Sequence, residues 1–223
     1  MSLQKSIVIY FLISFAFLIS EIFQLSVIVH IFRLLLIPFI GYSLWKMGKD
    51  LPILLCTAMF LCFVGDIWKI FPYSISLRYI LIFTGLSYLI FSKICFKLIP
   101  DSKVKKLIFS SLPLLILWFL YYHYCVEDMF GVVLGNLYYI VLLYSIALGL
   151  FLIMSIVSYY NAENRLTLYT VFIAISFLIA DTLMGLYIYI APLLSYEILN
   201  VVFQITGYYF IYMFGLKRVD SKP

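Results

Sequence analysis

Apolar runs of about 20 residues alternate with short polar breaks along the whole chain. Eight runs stand out, at about 6–26, 28–45, 51–71, 77–97, 106–125, 131–158, 166–191 and 197–216. At 1.5 Å rise per residue, this length matches a hydrocarbon core of roughly 30 Å. Lipid offers the backbone no hydrogen-bond partner, so each run is predicted to be a helix. The pattern therefore predicts an all-α polytopic membrane protein, with eight transmembrane helices in one bundle and one integral-membrane domain over residues 1–223. The breaks carry loop chemistry: Lys46–Pro52, Pro72-Tyr73-Ser74, Pro100–Lys103, Glu127-Asp128, Asn161–Arg165 and Ala191-Pro192. The first run is read as a span and not as a cleaved leader, because no small-residue cleavage site follows it.

Composition strengthens this reading. Of 223 residues, 66% are hydrophobic and 11% charged, against roughly a quarter charged in soluble domains. The net charge of +5 implies no nucleic-acid partner, because the basic residues sit in short breaks between apolar runs. There they set orientation and meet lipid headgroups. Lys5, Lys46, Lys49, the stretch from Lys93 to Lys106, Arg165, Lys217, Arg218 and Lys222 fall on one side of an eight-span arrangement. Arg33, Lys69 and Arg78 fall toward the other. Both termini are therefore expected in the cytoplasm, of a bacterial cell membrane, with Glu127 and Asp128 facing outward. Cys56, Cys62, Cys95 and Cys125 form no disulfide or zinc spacing. His30 and His123 are the two histidines and have no ligand partner at helical spacing, so no metal site is expected. No P-loop, dinucleotide fingerprint or nucleophile elbow occurs, and no cofactor is expected. Nothing in the pattern sets an oligomeric state.

Polar residues inside the spans are the informative exceptions. An acidic group in a span costs roughly 2.5–3.5 kcal/mol on insertion scales. Glu21, Asp66 and Asp181 each lie about fifteen residues into the first, third and seventh runs, which share one direction, so they lie at similar depth in the outer half of the membrane. The oppositely directed spans bring His30, Arg33, Arg78, Asn136, Asn200 and Gln204 to the same layer. A polar cavity opening outward is the functional reading. In the structural reading, Asp66 pairs with Arg33, Arg78 or Lys69, Glu21 sits at the headgroup boundary, and Asn and Gln join helices. Asp181 has no basic residue within a turn, and Gly185 one turn later leaves room above its carboxylate. Gly131 and Gly135 form a GxxxG spacing that suits close helix packing. The tyrosines at 121, 122, 124, 187 and 189 read as an interfacial belt.

Several of these blocks occur together in a known family. Gly65-Asp66 ends one apolar run, and Gly85-Leu86-Ser87-Tyr88 follows in the next. Phe177-Leu178-Ile179-Ala180-Asp181 comes later, with Gln204, Tyr208 and Tyr209 in the last run. In order and spacing this resembles the lysoplasmalogenase (YhhN-like) family. The resemblance implies a Gly-Asp pair in the third span, a Phe-x-x-Ser-Asp block in the seventh and an aromatic-and-Gln pattern in the eighth. The chain departs from it at three points: Ala180 stands for the Ser, Gly85 for a His, and no Lys-Pro pair matches near Arg33 and Pro38.

The resemblance implies hydrolysis of the vinyl ether bond of a lysoplasmalogen, a lysophospholipid of the membrane, to a fatty aldehyde and a glycerophospho-alcohol. That chemistry suits two carboxyl groups. One protonates the β-carbon of the vinyl ether, and the other stabilises the resulting oxocarbenium ion or activates water. Glycosidases divide the work similarly. Asp66 and Asp181 are the expected catalytic pair. Arg33 or Arg78 is expected to hold the phosphate, with Asn136, Asn200 and Gln204 completing the substrate site. The alternative is a non-catalytic protein that binds or moves a lipid or small solute, since intramembrane carboxylates serve transporters equally well.

Overall fold

The computed structural model describes residues 3–48, 51–99, 113, 116–117, 119–128, 131 and 134–220, with backbone alone at 218–220. Among the described residues the chain is helical, without strands. The helices are α1 (Leu3–Ile22), α2 (Ser26–Lys46), α3 (Ile53–Trp68) and α4 (Tyr73–Phe96), then α5, described over 119–128. A 3-10 turn at Gly135–Leu137 leads into α6 (Tyr138–Asn161), followed by α7 (Arg165–Tyr189) and α8 (Leu194–Asp220). Six of these, α1, α2, α4, α6, α7 and α8, are long and apolar enough to cross a membrane. They mark the chain as an integral membrane protein. At 16 residues α3 is shorter. The basic loop that begins at Pro100 and half of the 106–125 run lie outside the described residues.

Local chemistry explains several helix ends. Pro52 and Pro72 occupy the N-cap positions of α3 and α4, where a missing N–H costs no helical hydrogen bond. Asn164 caps α7: its side chain accepts from the Thr167 N–H at 3.0 Å, and the Thr167 hydroxyl accepts from the Asn164 N–H at 3.4 Å. These reciprocal bonds satisfy donors that a helix start leaves open. Short connections, residues 23–25 between α1 and α2 and 69–72 between α3 and α4, make sequential helices antiparallel neighbours.

Packing follows chain order almost around a circle. Contacts run α1–α2, α2–α3, α3–α4, α4–α6, α6–α7, α7–α8 and back from α8 to α1, with α7–α8 the most extensive. In lipid there is little hydrophobic drive between helices, so close fit and hydrogen bonds carry the association. Glycine supplies the fit at two seams. A Cβ on Gly65 would stand 2.9 Å from the Thr84 hydroxyl, and one on Gly207 would stand 2.8 Å from the Phe177 ring. The first sets α3 against α4, and the second sets α8 against α7. Gly135 plays a different part from the close packing its GxxxG spacing suggests. Among the described residues, chain neighbours aside, no atom lies within 4 Å of where its Cβ would be, and its φ is +48°. The residue serves the turn, in a conformation that only glycine adopts readily. Outside the ring, Phe11, Phe15, Val27, Phe60 and Leu143 are each more than half exposed, a surface suited to hydrocarbon.

Candidate active site

Two carboxylates on facing helices organise the interior of the ring. Asp66, on α3, is 2% exposed. Its Oδ1 accepts from Gln204 Nε2 at 2.8 Å and lies 3.0 Å from Lys69 Nζ. Its Oδ2 accepts from the Tyr208 hydroxyl. Asp181, on α7, is partly exposed. Its Oδ2 accepts from the hydroxyls of Tyr88, at 2.5 Å, and Tyr144; neither tyrosine engages Oδ1. Gln204 and Tyr208 reach from α8 to α3, and Tyr88 reaches from α4 to α7. These helix pairs share no extensive backbone contact, so the polar side chains bridge the middle of the ring.

Two cavities lie at these groups. The smaller, of about 20 Å³, is lined by Asp66, Asp181, Lys69, Asn200, Gln204 and Tyr208 among others. Its volume is that of a single water site. Gln204 contributes a buried Oε1 that has no hydrogen-bond partner. Asn200 is held beside it by donating to the Ala180 carbonyl at 2.7 Å. The larger cavity is about 200 Å³ and mostly apolar, walled by Leu77, Ile80, Leu134, Val141, Leu148 and Ile188 among others. Gly185 lines it as well, one turn beyond Asp181. Lys69, Thr84 and Asp181 line both cavities.

Four of the residues singled out by sequence, Asp66, Asp181, Asn200 and Gln204, therefore gather at one place. The other three lie elsewhere. Arg33 is buried with its Nη2 3.9 Å from Glu21 Oε2, and its guanidinium lies over the Phe17 ring at 5.4 Å. Arg78 is exposed on α4, its guanidinium 5.9 Å from the centre of the Tyr79 ring. Asn136 is exposed in the 3-10 turn before α6. None of the three lines either cavity. Matching depth brought them into the same layer, but their side chains leave the helices in other directions.

The i,i+3 spacing makes Lys69 one possible structural partner of Asp66, and that ion pair is present. The spacing does not reveal that Lys69 also lines both cavities. Tyr144 carries one signal in the sequence, a mid-span hydroxyl that needs a partner. Gly85 packs beside Tyr144: a Cβ there would lie 3.4 Å from its ring, at ordinary van der Waals distance. Comparison with family models, with curated proteins and with solved structures finds no match.

Proposed function

We propose that the protein is a membrane-embedded hydrolase that cleaves the vinyl ether bond of lysoplasmalogen-type lipids. One observation carries the reading. A water-sized cavity lined by both aspartates shares Asp181, Lys69 and Thr84 with an apolar cavity suited to a single alkyl chain. Hydrolysis of a lipid needs a seat for water beside a seat for the chain.

In this mechanism Asp181 is the general acid, since it alone of the two lies on the larger cavity. Its proton goes to the β-carbon of the vinyl ether. The double-bond electrons form the new C–H bond, and the α-carbon becomes an oxocarbenium ion. Asp66, paired with Lys69 and bonded by Gln204 and Tyr208, serves as the carboxylate that stabilises that cation. Water in the small cavity, accepted by Gln204 Oε1, adds to the α-carbon and returns a proton to Asp181. The hemiacetal then collapses to a free alcohol on the glycerol and a fatty aldehyde. The two groups divide the work as acid and stabilising carboxylate, as in glycoside cleavage.

The proposal includes eight spans, with α3 and the 106–125 run crossing as well, and both termini in the cytoplasm of a bacterial membrane. Reporter fusions at the C-terminus and after Asp128 test this; an external C-terminus overturns it. The activity is tested by incubating purified protein with lysoplasmalogen in detergent and measuring aldehyde. Aldehyde formation that is lost in the Asp181→Asn variant is the expected result.

One observation favours a second reading, binding without turnover. Asp66 is fully engaged by an ammonium, an amide and a phenol, as a structural carboxylate would be. Saturable binding of the lipid without aldehyde would select that reading.

A further inference from the structure

We infer that Lys69 is an anion-reading residue, and that the larger cavity takes single-chain amphiphiles bearing an anionic group beside the chain. The inference rests on the same site as the proposed hydrolase and adds the residue, Lys69 in place of Arg33 or Arg78, that recognises the ligand's anionic group. Binding alone tests it, with or without turnover.

Arg33 is committed to Glu21, and Arg78 is exposed beside Tyr79. Among the described residues lining the larger cavity, Lys69 is the one Lys or Arg. Its side chain is 14% exposed and lines the smaller cavity as well. An ammonium has three donors, and the bond to Asp66 Oδ1 at 3.0 Å uses one. Two remain for a ligand, in a wall that is otherwise mostly apolar, where a charge-assisted bond is stronger than in water. A cation spent only on neutralising Asp66 would need no place on the chain-sized cavity.

The geometry also bears on ligand type. The apolar wall accepts an alkyl chain, and Lys69 accepts an anion at its end. A lipid phosphate and a fatty carboxylate share that chemistry. A neutral glycerol ether has the chain without the charge.

The experiment compares dodecyl phosphate, dodecanoate and neutral dodecylglycerol ether as ligands of the full-length protein in a mild non-ionic detergent. Affinity is read from the ligand-dependent shift in melting temperature. The wild-type protein is expected to bind at least one anionic probe about tenfold or more tightly than the neutral one, in line with hydrogen bonds to charged groups. Preference for the phosphate points to a lysophospholipid, and preference for the carboxylate to a fatty acid. Lys69→Met should abolish the preference and Lys69→Arg should keep it. Because Lys69→Met strands Asp66, the paired Lys69→Met, Asp66→Asn variant removes both charges together and should also show no preference. Arg78→Gln should bind like wild type. Equal binding of the neutral and anionic probes by the wild-type protein overturns the inference, as does a preference that survives both methionine variants. Aldehyde release measured separately on lysoplasmalogen decides the hydrolase reading, so either claim can fail alone.

Discussion

Asp66 and Asp181 are the same residue type, on neighbouring parts of one ring, yet their surroundings differ in kind. Asp66 is closed in. Both its oxygens are engaged, by Lys69, Gln204 and Tyr208. Asp181 is held by one oxygen, through Tyr88 and Tyr144, and lies on the apolar cavity. In the proposed mechanism this contrast matches a stabilising role for the enclosed aspartate and a proton-delivering role for the one on the cavity. It also separates what each contributes to the fold from what each contributes to chemistry.

The largest expected effect comes from breaking the closed-in partner. Asp66→Asn leaves Lys69 without its counter-charge and should destabilise the protein by about 3 kcal/mol, the lower end of what breaking a buried ion pair costs. A lowered melting temperature in detergent checks this. Adding Lys69→Met to Asp66→Asn should recover much of the loss, because the two effects are coupled and not additive.

Asp181→Asn sharpens the contrast from the other side. It should leave the melting temperature nearly unchanged while lowering turnover by about 100-fold or more, the range of general acid–base groups. The amide still accepts from the two tyrosines but delivers no proton. Loss of stability with unchanged specific activity would reverse the roles of the two aspartates.

A smaller effect is expected for Tyr144→Phe. Asp181 keeps the Tyr88 bond, so stability should fall by about 1 kcal/mol, the typical net value of one hydrogen bond. Turnover should fall less than in Asp181→Asn. Rates and melting temperatures for Tyr144→Phe and Tyr88→Phe, compared side by side, report which phenol positions the acid.

The smallest effect is expected from chelation. Among the described residues no three His, Cys, Asp or Glu side chains gather as a metal site, and the proposed reaction uses carboxyl groups alone. Turnover should be unchanged in a strong chelator. Loss that added zinc restores would contradict the two-carboxylate mechanism.

Grouping is legible in the sequence only in part. Counting residues along the runs assigns Asp66, Asp181, Asn200 and Gln204 to one layer, and the structure brings these four to one site. The same count assigns Arg33, Arg78 and Asn136 to that layer, and none of them lines either cavity. A soluble helix shows its inner side by an apolar stripe. Helices such as α6 and α7 are apolar nearly all round, so no stripe tells which way a side chain leaves the axis. Lys69 illustrates the limit. Its spacing from Asp66 revealed the ion pair but not the second face it turns toward the cavity. Tyr144 carried a weaker signal still, a hydroxyl in the middle of an apolar run, among 20 tyrosines in the chain. The Gly85 departure becomes interpretable only with Tyr144 packed beside it.

The central claim is that a carboxyl group on the apolar cavity protonates a vinyl ether carbon and that water completes the cleavage. Running the reaction in deuterium oxide tests both parts at once. Purified wild-type protein with lysoplasmalogen should release an aldehyde carrying one deuterium on the carbon next to the carbonyl, with little or none from Asp181→Asn. No aldehyde from a folded, lipid-binding preparation, or aldehyde without that deuterium, would contradict the account.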